Sequence, residues 1–371
     1  MPTMTPFALT PLLEVEVSTT DAPPRVLSFL APQTLRLDAD PRAAVPLPRG
    51  AGRFVVQDFG GTLTLHREDQ PAPPVPLDEL TELLLPGGVV LRLRLRPVVV
   101  LGPYLLTGHL GCGGMGEVFA ARQTGPGGFD RPAVIKLLRC DLLGHHPESR
   151  ALLLAEARIA ARINHPNVVT IYEVGEERGA LYIAMERLVG ITLLELQTRL
   201  LGASLRLPPL LAAALLAQVF AGLDAAHRPG EGDEQIIHRD ISPSNLMLLR
   251  DGTVKIIDFG IAKLRDRLLA PREHSGFKGK PAYVAPEQLQ GAPADIRSDL
   301  FAAGVVLYEL CSGAPLFARD SPEATLAAVY TAPIPPLRDV CPDVPADLSR
   351  LADALLTRDP AARLQSAAAA A

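Results

Sequence analysis

Paired cysteines are missing from this chain. Its four cysteines lie far apart in 371 residues and form no CxxC pair, so neither a disulfide framework nor a cysteine-rich zinc site is expected. The N-terminus lacks a basic stretch followed by an apolar run, so we expect no secretory signal. The expected location is a reducing, cytoplasmic compartment. The cysteines are Cys112, Cys140, Cys311 and Cys341.

A basic character is also absent. The formal net charge is -5, so we expect no nucleic-acid partner, because proteins that coat nucleic acid carry a strongly basic surface. Lysine is scarce, since only five of the 36 Lys and Arg residues are Lys. Each Lys is therefore a candidate for a position that Arg does not fit. The lysines are Lys136, Lys255, Lys263, Lys278 and Lys280.

One apolar run, "LPPLLAAALLAQVFAGL" at 207–223, carries no charge. Its 17 residues lie at the short limit for crossing a bilayer. The run has two prolines near its start and also contains Gln and Gly. We expect the buried helix of a folded domain and no membrane span within these residues.

The first 100 residues differ from the rest. They contain 15 of the 36 prolines and neither Lys nor Asn. Alternating runs such as "LEVEV" and "RFVVQDF" are separated by Pro, Gly and Asp, which predicts a small all-β domain over 1–100. Within it, "LDELTELLL" at 77–85 predicts one short helix. Strand-like runs then begin near residue 101, followed by an amphipathic helix at about 148–162 and Leu/Ala-rich helices after 207.

The stretch "LGCGGMGEVF" at 110–119 carries the first chemical signal. Gly111, Gly113 and Gly116 form G-x-G-x-x-G, and Val118 follows two residues later. A dinucleotide-binding fold uses the same glycines to open a helix. Here "EVFAARQ" and a Gly-rich turn follow, which predicts a hairpin whose backbone N–H groups close over phosphates. An ordinary Gly-rich turn is the alternative.

Five polar residues further along suit phosphate chemistry. Lys136 ends the strand-like run "PAVIK" and precedes Glu156, in a predicted helix, by 20 residues. A strand Lys can bind phosphates while a helical Glu orients it, although a surface pair is the alternative. In "HRDISPSN", Asp240 can accept a hydroxyl proton and Asn245 can ligate a metal. Asp258, at the end of a buried run in "VKIIDFG", can hold Mg²⁺ between phosphates.

In their order and spacing, these motifs resemble the eukaryotic-type (Hanks-type) serine/threonine protein kinases of bacteria, over about residues 103–366. The resemblance implies an α+β, two-lobed fold over 101–371. A β-rich lobe at about 101–185 precedes a helical lobe at about 190–371, and the small all-β domain precedes both. The sequence ends in "LQSAAAAA", within an expected helix, which leaves open a continuation and an anchor beyond residue 371.

The implied activity is transfer of the ATP γ-phosphoryl group to Ser or Thr hydroxyls of proteins, with Mg²⁺ or Mn²⁺, in bacterial signalling. Protein substrates, and the chain itself through autophosphorylation, are the implied acceptors. The alternative is a catalytically weak or inactive pseudokinase that binds nucleotide as a scaffold. In that case the N-terminal β unit recruits a partner.

The resemblance also implies roles for single residues. Asp240 orients the acceptor hydroxyl, Asn245 and Asp258 hold the metal, and Glu156 orients Lys136. Met185 resembles the gatekeeper residue beside the adenine pocket. The implied nucleotide contacts are Leu110, Gly111, Cys112, Gly113, Gly114, Met115, Gly116, Glu117, Val118, Val134, Lys136, Met185, and the backbone of Glu186 and Leu188.

Two supporting interactions follow from the same resemblance. Asp299 resembles the Asp that supports the catalytic loop, and Arg363 resembles the Arg that pairs with Glu287.

Between Gly260 and Ala285 there is no Thr and one Ser, Ser275. A phosphate on Ser275 is expected to pair with Arg239 and order the segment; an unmodified surface Ser is the alternative. Oxidation of Cys112 in the nucleotide loop would hinder ATP binding; a Cys without any redox role is the alternative.

Three positions depart from the family. Ser242 stands where the catalytic loop has Lys, Lys280 stands in "GKPAYVAPE" where the family has Thr, and Val134 stands where Ala is usual. We hypothesise that the first two are an exchange, in which Lys280 supplies the cation and Ser242 the hydroxyl. The alternative is that Ser242 is tolerated and Lys280 points to solvent. Val134 predicts a slightly tighter adenine pocket.

The end of the first domain, "LLPGGVVLRLRLR", resembles a forkhead-associated β-sandwich. That resemblance implies a phosphothreonine reader. The Asn-Gly turn of that family is absent, because the first 100 residues contain no Asn. A partner of the N-terminal β unit is therefore an expectation that rests on the strand pattern alone.

Overall fold

The computed structural model divides into two compact units: residues 1–108 with 120–131, and residues 109–119 with 132–371. The predicted boundary near residue 100 stays a prediction. The residues that the structure describes are 8–19, 22–30, 34–39, 43, 45–48, 53–59, 62–68, 75–76, 80–86, 89–113, 116–125, 128–138, 157–177, 180–228, 235–259 and 280–371.

The first unit consists mainly of strands in its described residues: β1 (Ala8–Thr19), β2 (Ala22–Leu30), β3 (Thr34–Asp38), β4 (Val45–Pro46), β5 (Phe54–Phe59), β6 (Thr62–Arg67), β7 (Val75–Pro76), β8 (Leu80–Leu85) and β9 (Val89–Leu101). In one sheet, β1 pairs with β2 and β9, and β9 also pairs with β8, all antiparallel. The second sheet has the order β4-β3-β5-β6-β7 and a single parallel pair, β3 with β4.

Alternation of side chains builds the core of this unit. Val15 on β1 pairs with Leu93 on β9, and both are buried. Leu35 and Leu37 of the second sheet belong to the same apolar cluster. Because side chains of a strand alternate between its two faces, each sheet turns one apolar face to the other. The described part of the unit is thus all-β, as the alternating runs predict.

The short helix predicted at 77–85 is wrong, because Leu80–Leu85 is strand β8. Its six residues pair with β9 over its whole length. Leu85 is buried, whereas Leu84 is 79% exposed. The Leu- and Glu-rich composition favours a helix, but pairing with a long neighbouring strand overrides that preference.

The strands that reach into the second unit are β10 (Tyr104–Gly113), β11 (Gly116–Gly125), β12 (Phe129–Leu138), β13 (Ile171–Glu177), β14 (Ala180–Glu186), β15 (Gly190–Thr192), β16 (Leu246–Leu249) and β17 (Val254–Ile256). Strand β14 pairs antiparallel with β12 and β13. Strands β15, β16 and β17 form a small antiparallel sheet of their own. The helices are α1 (Leu193–Gly202), α2 (Pro209–His227), α3 (Pro286–Leu289), α4 (Ile296–Ser312), α5 (Pro322–Thr331), α6 (Leu337–Val340) and α7 (Ala346–Leu355).

Helix α4 forms the centre of the helical region. The side chain of its N-cap residue, Asp295, accepts a hydrogen bond from Arg297 N, and Gly313 ends the helix with a φ of 70°. Between these caps, 15 residues from Ser298 to Ser312 are buried. A helix that is apolar on all sides must be enclosed by other elements. The sequence of α4 therefore requires the helices and strands that cover it.

The apolar run at 207–223 forms most of α2. By length and composition, α2 is the one described helix that could cross a bilayer. Its residues Leu216, Val219 and Phe220 are buried and share one apolar core with α4. This packing agrees with the expectation of a buried helix.

Two other helix predictions have different outcomes. Of the helix expected at 148–162, residues 157–160 are helical, and residues 148–156 lie outside the described part. The helix expected at the C-terminus is wrong, because residues 361–371 form turns and irregular structure. Alanine favours a helix, but Ala367 and Ala370 pack into the apolar core of the helical region, and such packing can override that preference.

Gly304 of α4 provides a test of this packing. A Cβ on Gly304 would meet Leu355 Cβ of α7 at 2.7 Å. Gly304→Ala should lower the free energy of unfolding by about 1–3 kcal/mol through overpacking. Gly202→Ala is the control, because nothing lies within 4 Å of a Cβ there, and it should be neutral or stabilising by up to about 1 kcal/mol. Urea denaturation of both variants measures the difference; equal effects would contradict the close packing of α4 on α7.

Candidate active site

The carboxylate of Asp299 fixes the loop that contains the His-Arg-Asp motif. Asp299 lies in the first turn of α4 and is 1% exposed. It accepts hydrogen bonds from the backbone nitrogens of His238 and Arg239, both at 2.8 Å. The Nε2 atom of His227, at the end of α2, lies 2.9 Å from the same carboxylate. The predicted supporting role of Asp299 is thus confirmed in its contacts.

Asp240 and Asn245 are held together on this loop. Arg239 has a φ of 67°, a conformation that costs free energy and persists only where the surroundings enforce it. Asn245 donates through Nδ2 to the backbone oxygen of Asp240 at 2.8 Å and to its Oδ2 at 2.9 Å. The amide nitrogen is therefore engaged, and the Oδ1 atom of Asn245 is the one that suits a metal.

Asp258 is joined to the same loop through its neighbours. The ring of His238 packs edge-on against Phe259, with centroids 4.6 Å apart, and His238 Nε2 lies 2.9 Å from the backbone oxygen of Ile257. Asp258 itself has a φ of 65°. Contacts on both sides therefore hold Asp258 in a backbone conformation that an Asp rarely adopts.

An ion pair joins Lys136 to Asp258. Lys136 Nζ lies 2.7 Å from Asp258 Oδ1, and Lys136 is buried. Burial favours the uncharged form of Asp258, but Lys136, His238 and Lys280 outweigh it and hold the pKa of this carboxyl below its usual value. Asp258 is therefore ionised at neutral pH, as a metal ligand must be.

The donor set fits a hard divalent cation such as Mg²⁺. Asp258 offers a carboxylate, and Asn245 offers an amide oxygen. Among the described residues there is no group of three or more His, Cys, Asp or Glu that could hold a metal ion. Two protein ligands leave further coordination positions of such a cation for water or phosphate oxygens.

The described glycines of the Gly-rich motif lie on two strands that are neighbours in one sheet, β10 and β11. Strand β10 ends at Gly113 and β11 begins at Gly116, so a strand follows the motif and the dinucleotide-binding alternative, which needs a helix, is wrong. A Cβ on Gly116 would lie 1.8 Å from the backbone oxygen of Leu137, which explains the Gly there. Leu110 is 55% exposed, and Cys112 is exposed. The hairpin thus offers open backbone and side chains to a ligand.

The predicted adenine contacts lie at the end of β14. Val134, at the position where the family usually has Ala, is the cross-strand partner on β12 of Met185 on β14. The predicted gatekeeper Met185 and Val134 are therefore neighbours. Glu186 is the last residue of β14, and Lys255 Nζ lies 2.6 Å from its Oε1 atom. That atom also accepts a hydrogen bond from Thr170 N at 2.7 Å. These contacts fix the chain just before Leu188.

Lys280 and Ser242 are in direct contact. Lys280 Nζ donates to Ser242 Oγ at 2.6 Å and lies 3.6 Å from Asp240 Oδ2. Ser242 is completely buried. The alternative in which Lys280 simply points to solvent does not describe this arrangement. Lys280 instead brings a positive charge next to Asp240.

The predicted pair of Glu287 and Arg363 is confirmed. The guanidinium of Arg363 donates to both carboxylate oxygens of Glu287, at 2.8 and 2.9 Å, and Ser298 Oγ donates to Glu287 at 2.9 Å. Burial alone would raise the pKa of Glu287, but the bonds from Arg363 hold it below its usual value. The pair attaches the start of α3 to the C-terminal segment.

Some of the predicted residues lie outside the described part of the chain: Gly114, Met115, Glu156, Gly260 of the Asp-Phe-Gly motif, and Ser275.

The contacts of two residues, His227 and Lys255, were not predicted from the sequence. Nothing in the sequence distinguishes His227 from an ordinary helical His, whereas the scarcity of Lys could have drawn attention to Lys255.

The Glu287–Arg363 pair gives a stability prediction. Arg363→Met leaves a buried carboxylate without its partner and should cost about 3–5 kcal/mol of unfolding free energy. Arg350→Met is the control, because Arg350 and its partner Asp347 are mostly exposed and should cost less than about 1 kcal/mol. Urea denaturation at neutral pH compares the two.

The same comparison has a pH dependence with a definite sign. Because the pKa of Glu287 is lowered in the folded state, its contribution is present above the ordinary Glu pKa and is lost as the pH falls through the lowered value. The difference between wild type and Arg363→Met should therefore shrink below about pH 4.3. Equal losses for the two Arg variants at neutral pH would contradict the structural role.

Comparison with known proteins agrees with this geometry. Residues 104–371 match the family model of the protein kinase domain. The chain is 40% identical to tyrosine-protein kinase MasK of Myxococcus xanthus, over 67% of this chain and 39% of that protein. It is 36% identical to the probable serine/threonine-protein kinase PknB of Corynebacterium glutamicum, over 72% of this chain and 41% of that protein. The chain thus spans about two fifths of the length of these curated relatives.

A solved structure shows the same fold. The crystal structure of the PknI kinase domain of Mycobacterium tuberculosis covers 73% of this chain, with 95% of its own residues matched, 30% identity and a TM-score of 0.55. The loop held by Asp299, the Lys136–Asp258 pair and the Glu287–Arg363 pair occur within the matched family region. On this sequence, geometry and similarity, the chain belongs to the protein kinase family and has its two-lobed α+β fold.

Proposed function

We propose that the second unit transfers the γ-phosphoryl group of ATP to Ser and Thr hydroxyls of proteins, including its own chain, in bacterial signalling. The observation that carries the proposal is the convergence of Asp240, Asn245, Asp258 and Lys136. Asn245 is bonded to Asp240 at 2.9 Å, and Lys136 is bonded to Asp258 at 2.7 Å. The backbone bond from Ile257 N to Asn245 O, 3.0 Å long, joins the segments that carry the two pairs, and a chain that has lost the activity would have no reason to retain both pairs.

The chemistry is an in-line displacement. The acceptor oxygen forms a bond to the γ-phosphorus while the bond from that phosphorus to the β–γ bridging oxygen breaks. The electron pair of the broken bond stays on the leaving ADP, and the hydroxyl proton passes to the carboxylate of Asp240. The side chain of Asp240 is 21% exposed, so a substrate hydroxyl can reach it. Positioning and charge neutralisation supply most of the rate enhancement.

Asp258 and Asn245 are the residues that would hold the metal, Mg²⁺ or Mn²⁺. When bound, the cation neutralises charge on the phosphates and fixes their orientation. Lys136, now bonded to Asp258, lies where it can also bind the α- and β-phosphates, and Glu156 is proposed to orient it. The Gly-rich hairpin covers the phosphates, and the chain from Met185 to Leu188 binds adenine.

The acceptor residue is the finer part of the proposal. Several relatives are named as serine/threonine-protein kinases, whereas the relative at 40% identity is named as a tyrosine-protein kinase. The proposal follows the larger group. Analysis of the phosphorylated amino acid after labelling decides between the two.

A phosphate on Ser275 is the proposed activating modification. Arg239 supports this idea, because its Nε atom is buried and has no hydrogen-bond partner within the described residues. A buried N–H group normally binds an acceptor, and a phosphate is a strong acceptor for a guanidinium. Ser275 itself lies outside the described part of the chain.

The first unit is proposed to recruit a protein partner.

The chain is proposed to work in the cytoplasm. Three cysteines, Cys112, Cys311 and Cys341, are free thiols, which suits a reducing compartment. The burial of α2 in the core of the helical region supports its assignment as a core helix. Phosphothreonine reading by the first unit stays a prediction.

Asp240→Asn tests the proposed activity. The variant should lose autophosphorylation by about 100- to 10,000-fold, because it can no longer accept the hydroxyl proton. Asp343→Asn is a matched control, since Asp343 is exposed and lies between α6 and α7, which carry none of the site residues, and it should label like the wild type. The measurement is incorporation of labelled phosphate from ATP with Mg²⁺, followed by identification of the modified residues.

The outcomes separate the two candidate functions. Label on Ser or Thr in the wild type and in Asp343→Asn, but not in Asp240→Asn, is the expected result. Binding of ATP without any transfer in the wild type would favour the nucleotide-binding scaffold. Label on Tyr alone would replace the proposed acceptor but keep the phosphotransfer reaction.

A further inference from the structure

We infer that Lys280 is a catalytic residue of this kinase, which contacts the phosphoryl group during its transfer, and that Ser242 is the residue that positions it. The inference rests on the proposed function, because it concerns the same reaction. It adds a group that lies far from the catalytic loop in sequence. It also assigns a purpose to the departure from the family pattern at positions 242 and 280.

The position of Lys280 is the first part of the argument. Its Nζ atom lies 3.6 Å from Asp240 Oδ2. A hydroxyl that gives its proton to Asp240 must lie about 2.6–3.2 Å from that carboxylate. A cation on the same carboxylate therefore lies next to the position of the acceptor oxygen.

The second part is the way in which the ammonium is held. Lys280 Nζ donates to Ser242 Oγ at 2.6 Å. Ser242 is completely buried, and its Oγ atom lies 3.4 Å from Ser244 Oγ and 3.5 Å from the backbone oxygen of Asp240. A neutral, immobile hydroxyl orients the ammonium but does not cancel its charge. Such preorganisation is what stabilisation of a developing charge requires.

The third part is the distribution of charge in the site. Charge in the transition state spreads over the three equatorial oxygens of the phosphoryl group. Lys136, the other Lys at the site, is bonded to Asp258 at 2.7 Å and thus lies on the metal side. Lys280 lies beside Asp240, on the acceptor side. One lysine therefore lies beside the predicted metal ligand Asp258, and the other lies beside Asp240, where the acceptor hydroxyl is expected.

The residue type supports the inference. Arg is the default cation here, because only five of 36 basic residues are Lys. The bond from Lys280 ends on a buried hydroxyl beside Ser244 and Asp240, where a compact ammonium fits more readily than a planar guanidinium. Lys280→Arg should therefore retain the charge but lose most of the activity.

A merely structural role for Lys280 is the competing explanation. In that case the bond to Ser242 would hold Lys280 and the residues that follow it against the catalytic loop. Loss of the bond would then lower the melting temperature and weaken the binding of protein substrate. A catalytic role lowers kcat at unchanged binding of ATP. The two explanations also differ in the effect of returning the Lys to position 242.

The experiment uses the full chain with casein as protein substrate and measures kcat, KM for ATP and the melting temperature. Lys280→Ala and Lys280→Thr should lower kcat by about 100-fold or more, with KM for ATP within about three-fold, as expected for loss of a charge-stabilising group. The double variant Ser242→Lys with Lys280→Thr should regain at least about ten-fold in kcat over Lys280→Thr alone. Lys278→Ala is the control and should retain wild-type activity.

Each outcome decides one question. A fully active Lys280→Ala, equal to Lys278→Ala, would overturn the inference and leave the proposed function intact. A loss of activity with a lowered melting temperature and no recovery in the double variant would assign Lys280 a structural role and also overturn it. A wild-type protein that transfers no phosphate, although Asp240 is intact, would defeat the proposed function and the inference with it.

Discussion

A single buried carboxylate, that of Asp299, sets the geometry on which the site depends. It binds two consecutive backbone N–H groups, those of His238 and Arg239, and it is almost fully removed from water. An unpaired carboxylate at this depth would be costly, so the loop and helix α4 must adopt their conformations together. The positive φ of Arg239 is the strained conformation that these bonds maintain. Asp240 is aimed into the site as a result.

Much of the site could be predicted because its chemistry needs particular residue types at particular spacings. The glycines of the hairpin, Lys136, Asp240, Asn245 and Asp258 follow from phosphate and metal chemistry, and the structure brings the described members together. The all-β character of the first unit follows from period-two alternation, which has one physical cause. Likewise, the largely apolar sequences of α2 and α4 require burial, and most of α4 and one side of α2 lie in the same apolar core.

What could not be predicted depends on contacts between distant segments. Strand β8 has a composition that favours a helix, and only its pairing with β9 makes it a strand. His227 reaches Asp299 across 72 residues, and Lys255 reaches Glu186 across 69, without any local pattern to indicate either contact. The C-terminal alanines have a strong helix propensity, yet Ala367 and Ala370 pack into the core of the helical region outside any helix. Secondary-structure propensity reflects local sequence, whereas these strands, contacts and irregular segments depend on residues that are distant in sequence and close in the fold.

The contact between Lys280 and Ser242 also constrains how such an arrangement could arise in evolution. The usual family arrangement has Lys at position 242 and Thr at position 280. If position 280 changes to Lys first, two ammonium groups occupy the same place. If position 242 changes to Ser first, neither position carries an ammonium group. Two like charges about 4 Å apart repel by about 4 kcal/mol at an effective dielectric constant of 20. The intermediate without a Lys avoids that repulsion and sacrifices rate instead.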